Sequence, residues 1–178
     1  MKDISHYELC KVTAERFLKG SEIVLFEYQS IVSGEFPDVL CFNGAYTKLF
    51  EIKVDKQDFR RDKLKDCRIE YSVKYWTHLH RFRDKGTRIV FEDPRMQEFI
   101  KECPHLGRRR YYVCPKGLIQ PEDVKNGWGL YWYNGRFSKK KESGQFKHDM
   151  FAEMNILSHA FRKCFNINAD NILVKEYN

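Results

Sequence analysis

The sequence predicts an α/β domain of the mixed-sheet (α+β) kind, a central mixed β-sheet flanked by helices, and three observations carry that expectation. Apolar periodicity runs in the order helix, strand, hairpin, helix, strand, the pattern of a sheet that needs helices to cover it. Asn43-Gly44 separates two short apolar runs and is a strong hairpin signal. The chain has 178 residues, 42% hydrophobic and 32% charged, which is enough for one full core and too little for two. Residues 1–178 are therefore read as a single domain.

Each element has its own signal. From His6 to Lys19, Leu9, Val12, Ala14, Phe17 and Leu18 recur at helical spacing, and Gly20 is the expected stop. Ile23 to Phe26 reads as a strand running on towards Tyr28 and Ile31, with a turn at Ser33-Gly34. Phe36–Phe42 and Tyr46–Lys53 form the two arms of the predicted hairpin, turning at Asn43 and Gly44. Helical character then extends from Asp55 to about Arg83, followed by a strand over Thr87–Phe91 and a helix from Pro94 to Cys103. Arg110–Cys114 is a further strand, and residues 127–137 suggest a second hairpin turning at Asn134-Gly135. A last helix spans His148–Cys164, with Phe151, Met154, Leu157 and Phe161 as its expected buried stripe and Glu153 structural or exposed.

Charge narrows the partners. The 32 Lys and Arg outnumber the 25 Asp and Glu, a formal +7 that favours polyanions. An aromatic share of 15% suits either a large core or base stacking. The six cysteines include no Cys-x-x-Cys pair and several lie in apolar runs, so free thiols in a reducing cytoplasm are expected. The spacing of Cys103, His105 and Cys114 matches no common zinc pattern. No stretch has the length of a membrane span, and no membrane partner is expected.

The chemistry concentrates in Phe36-Pro37-Asp38 and Glu51-Ile52-Lys53. Side chains alternate along a strand, so Glu51 and Lys53 share a face while Ile52 points the other way. A turn centred on Asn43-Gly44 sets position 38 opposite 49, one two-residue step from Glu51. Two carboxylates and an ammonium then converge. Adjacent carboxylates call for a neutralising cation, and hard oxygen donors suit Mg²⁺ or Mn²⁺. An ordinary polar sheet face would explain an isolated Glu-x-Lys. Pro-Asp upstream, the Asn-Gly turn and apolar neighbours on both strands favour a site.

These residues resemble the motif of the PD-(D/E)XK nuclease superfamily. The run from Lys53 through Asp58-Phe59 and Asp62 to Lys63 is similar to the MmcB-like DNA-repair branch and related phage-type proteins, as are Tyr111–Ile119 and Gly127–Leu130. The likeness covers Glu8 to Phe137 and thins between Tyr71 and Gly107, where an insertion at about 72–107 is expected. It implies a restriction-endonuclease-like core, metal bound by Asp38 and Glu51, and Lys53 as the catalytic lysine. Many members add a glutamate from the first helix. Glu8 and Glu15, ~20° apart around a helix, both qualify, with Glu8 preferred.

The implied activity is Mg²⁺- or Mn²⁺-dependent hydrolysis of DNA phosphodiester bonds, in DNA repair or in phage or mobile-element DNA processing. Lys56, Arg60, Arg61 and Lys63 follow the site and could position the backbone, although Asp58, Asp62 and Asp66 make a solvated helix an equal reading. Arg108 and Arg109, in the Arg108–Arg110 run, are a second candidate phosphate contact, and Lys139–Lys141 in an expected loop a third. His78 and His80 are read as surface or packing residues. The rival function is a nucleic-acid-binding module without catalysis on the same scaffold. RNA as substrate and a homodimer both stay open.

Overall fold

The computed structural model describes residues 4–28, 36–44, 46–62, 106–124, 127–164 and 172–174. Its elements in chain order are α1 (His6–Leu18), β1 (Ile23–Phe26), β2 (Val39–Asn43), β3 (Tyr46–Ile52), α2 (Lys56–Arg61), β4 (Arg109–Pro115), β5 (Gly129–Tyr133), β6 (Phe137–Lys141), α3 (Met150–Cys164) and β7 (Ile172–Val174). The seven strands form one sheet in the order β6-β5-β4-β3-β2-β1-β7. β3–β4 and β4–β5 pair in parallel and the remaining neighbours antiparallel, so the sheet is mixed as expected. Among the described residues, no helix is long and apolar enough to cross a membrane. The expected strand at 87–91, the helix at 94–103 and most of the insertion lie outside the described residues.

Strand alternation sorts the apolar residues into two cores. Val24, Phe26, Val39, Cys41, Phe50, Ile52, Tyr111 and Val113 pack with Leu9, Cys10 and Ala14 of α1. Leu25, Leu40, Leu49, Tyr112, Cys114 and Leu130 pack on the other face with Ala152, Ile156 and Ala160 of α3. Aromatic rings thread both layers: Phe50 stacks between Phe17 at 4.2 Å and Tyr111 at 5.4 Å, and Tyr112 stacks on Trp128 at 4.6 Å. These rings are core material, each removing a large apolar area from water.

Four expectations change. β1 ends at Phe26 because Glu27 takes a left-handed φ of 48°, which breaks the extended run. The Lys139–Lys141 run is strand β6, not loop; lysines on an edge strand discourage pairing with another chain. β7, a short Ile-Leu-Val run not foreseen as a strand, pairs antiparallel with β1 at the other edge. Finally, α3 is rotated relative to its expected stripe: Phe151, Met154 and Phe161 are exposed, and Ala152, Glu153, Ile156 and Ala160 face inward.

The reason for that rotation is polar. Glu153 is buried, and its Oε1 accepts from Thr47 Oγ1 at 2.7 Å and from the Gly107 N–H at 2.8 Å, while Oε2 lies 3.0 Å from His148 Nδ1. Gly107 has φ +80° and comes so close to β3 that a Cβ would stand 2.5 Å from Leu49 Cβ. Small residues at 152 and 160 let the helix lie close enough for the carboxylate to reach. Glu153→Ala strands two buried donors and is expected to lower stability by about 2–4 kcal/mol. Urea unfolding monitored by circular dichroism measures this, and an unchanged midpoint would contradict the role given to Glu153.

Candidate functional site

The hairpin of β2 and β3 sets the geometry. Val39 pairs with Phe50 and Asn43 with Tyr46, so the turn is centred one position later than an Asn43-Gly44 turn. Gly44 adopts φ +40°, and Asn43 is fixed in the strand because its Nδ2 donates to Gly20 O at 2.7 Å. The register shift moves position 38 from opposite 49 to opposite Glu51. Asp38 is tied there, its Oδ2 accepting from the Ile52 N–H at 2.7 Å. Sequence reasoning placed the two carboxylates near each other; the observed register brings them closer.

Lys53 continues β3, its N–H donating to Val113 O at 2.9 Å. Its side chain is only 1% exposed, and Nζ lies 3.2 Å from Glu51 Oε2, 3.0 Å from Asp62 Oδ1 and 3.4 Å from Asp58 Oδ2. Asp58 and Asp62 come from α2 and its C-cap. The helix starts at the cap Asp55, whose carboxylate accepts from the Gln57 N–H. Phe59 then packs edge-on against Tyr112 at 5.1 Å, and Tyr112 Oη donates to Asp62 Oδ2 at 2.7 Å. One ammonium faces three carboxylates, two of them buried and the third, Asp58, about half exposed.

On the α1 side, His6 Nε2 lies 3.5 Å from Asp38 Oδ2 and His6 Nδ1 lies 3.0 Å from Glu27 Oε1. Cys10 is buried and its thiol donates to the same Glu27 oxygen at 3.0 Å. The hydrogen bond to Asp38 raises the His6 pKa above its usual 6.5 despite partial burial. Burial pushes the Cys10 thiol well above the ordinary range, and Glu27, Asp38 and Glu51 all push the same way.

The first-helix glutamates stand elsewhere. Glu8 is the third residue of a capping box: its Oε2 accepts from the Ser5 N–H at 2.9 Å and its own N–H donates to Ser5 Oγ at 3.2 Å. It stands about 200° round the helix from His6, and Glu15 is exposed. His6 and Cys10 occupy the helix face that looks onto Asp38. Their i, i+4 spacing was the available signal, and sequence reasoning passed over it. Glu27 gave none, since its position depends on the left-handed backbone that ends β1.

The basic candidates divide by location. Lys56, Arg60 and Arg61 are exposed on α2 directly after the site, and Lys63 lies outside the described residues. Arg109 pairs with Lys48 in the β3–β4 register, at the end of β3 away from Lys53, and its guanidinium lies 3.0 Å from Glu142 Oε1. Arg108 donates to Gln145 Oε1 at 3.1 Å. Arg110 is a structural clamp, its guanidinium donating to the carbonyls of Leu106, Gly107 and Lys147.

Asp38 and Glu51 offer hard carboxylate oxygens, the donor type that Mg²⁺ or Mn²⁺ takes. Lys53→Met would leave the buried Glu51 and Asp62 without their shared cation. A loss of about 3–5 kcal/mol in urea unfolding is expected, and wild-type stability would contradict the buried pairing described above.

No protein-family model matches the chain, and no curated protein matches it. Its structure is similar to that of the SPO1766 protein of unknown function from Silicibacter pomeroyi, with a TM-score of 0.51 at 14% identity over 91% of this chain and 90% of that one. At that identity the likeness speaks to the fold: this chain is an α+β protein built on a mixed sheet flanked by helices.

Proposed function

We propose that the chain is a metal-dependent nuclease of the PD-(D/E)XK type that hydrolyses phosphodiester bonds in DNA. The observation that carries this reading is the register of β2 against β3, which sets Asp38 opposite Glu51 with Lys53 bonded to Glu51. Asp38 and Glu51 would hold Mg²⁺ or Mn²⁺. When bound, such an ion supplies Lewis-acid stabilisation of phosphoryl charge and makes water more acidic. Lys53 offsets negative charge developing on the phosphate and orients the attacking water. Exposed Lys56, Arg60 and Arg61 on α2 hold the nucleic-acid backbone against the site. DNA repair or the processing of phage or mobile-element DNA is the setting that the motif resemblance supports. Free buried thiols at Cys10, Cys41 and Cys114 suit a reducing cytoplasm.

One observation favours a second reading, a module on this scaffold that binds nucleic acid without cutting it. Glu51 and Lys53 are 2% and 1% exposed, and the three carboxylates on Lys53 hold its ammonium away from solvent. A nuclease needs α2 to yield on binding substrate; a binding module does not.

Calorimetric titration with Mn²⁺, on wild type and Asp38→Ala, separates the two when paired with a DNA cleavage assay. The nuclease reading expects binding that is lost in the variant while circular dichroism is unchanged, and Mn²⁺-dependent cleavage that is lost with it. DNA affinity that persists in EDTA, with no cleavage and no metal binding by wild type, would overturn it in favour of the binding module.

A further inference from the structure

We propose a second metal site, formed by His6, Cys10 and Glu27, that takes a thiophilic transition ion of the Zn²⁺ class. The three donors already form a compact triangle. Cys10 Sγ lies 3.6 Å from His6 Nδ1 and 3.0 Å from Glu27 Oε1, and His6 Nδ1 lies 3.0 Å from the same Glu27 oxygen. Ordinary zinc bonds to sulfur, nitrogen and oxygen in a tetrahedral arrangement put such donors about 3.4–3.6 Å apart. The observed triangle has to open by only a few tenths of an ångström. His6 and Glu27 are each about one-third exposed, at 36% and 34%, so both can make that adjustment and leave a way in for the ion.

Each ligand is delivered by a different feature of the backbone. His6 and Cys10 are one turn apart on α1 and so share a face. Glu27 is brought to them by its left-handed φ of 48° at the end of β1, with its N–H donating to Asp38 O at 2.8 Å. Asp38 completes the arrangement from outside. Its carboxylate lies 3.5 Å from His6 Nε2, on the ring nitrogen away from Cys10 and Glu27. A carboxylate on the distal nitrogen holds the Nε2–H in place when Nδ1 ligates, the usual partner of a metal-bound histidine.

The donor set is the ground for choosing the ion. Thiolate and imidazole select Zn²⁺ and related ions, whereas Mg²⁺ and Mn²⁺ prefer oxygen. On binding, the Cys10 S–H bond is replaced by a sulfur–metal bond, and its proton, with any proton that His6 Nδ1 shares with Glu27, passes to solvent. Three protein ligands leave the fourth position to water. The site borders the proposed Asp38–Glu51 centre through Asp38 but takes its ion on other donors, and it does not depend on the nuclease reading, because it is tested by metal alone.

The test is a Co²⁺ titration of the metal-free, reduced full chain, followed by near-ultraviolet and visible absorption. One equivalent should produce a thiolate-to-cobalt charge-transfer band with the intense visible bands of tetrahedral Co²⁺, and Zn²⁺ should discharge both. Cys10→Ser should lose the charge-transfer band, and Glu27→Gln or His6→Ala should weaken Co²⁺ binding at least tenfold. If Cys10→Ser does not fold, the two partly exposed positions, His6 and Glu27, carry the test by themselves. A wild type without the band overturns the site, as does a band equally strong in Cys10→Ser or unaffected by both His6→Ala and Glu27→Gln.

Discussion

The ammonium of Lys53 has been taken almost entirely out of water, and much of the surrounding structure is arranged to make that tolerable. A buried cation without partners costs several kcal/mol after relaxation. Here Glu51 comes from the same strand, Asp58 and Asp62 from α2 and its cap, and Tyr112 of β4 steadies Asp62. This one charge therefore fixes where α2 lies on the sheet and which residues of β3 and β4 face it.

The same economy appears at the opposite end of β3. Glu153 gathers Thr47, Gly107 and His148, and in doing so locks α3 against the strand that carries the site. A buried ammonium and a buried carboxylate thus hold the two ends of β3 in place. Rigid support of this kind suits a site that must present charged groups in fixed positions. The apolar cores add no such specificity, because Leu, Val and Phe pack in many arrangements at similar density.

What the sequence disclosed follows from how local each signal is. The pairing of Glu51 with Lys53 could be read from strand parity alone, and α1, β1 and β4 from periodicity with Gly and Pro stops. The hairpin was visible, but its register was not. Gly44 takes the positive φ at the first loop position, and Asn43 is held in the strand by a contact to Gly20 that lies 23 residues away. The buried face of α3 was misread because Phe and Met outrank Ala in any hydrophobic stripe, whereas a buried glutamate decided the matter. Asp62 and Tyr112 meet only after α2 docks on β4. Glu27 reaches His6 and Cys10 only through an unusual backbone conformation, which no residue type announces.

The proposed nuclease centre requires that Asp38 and Glu51 share one divalent ion beside Lys53. Anomalous diffraction from a crystal grown with Mn²⁺ shows this without an activity assay. An anomalous peak is expected within about 2.0–2.3 Å of a carboxylate oxygen of each residue, a bond length usual for such ions. A peak elsewhere, or none while Asp38 still accepts from Ile52 and Lys53 keeps its three carboxylates, would contradict it.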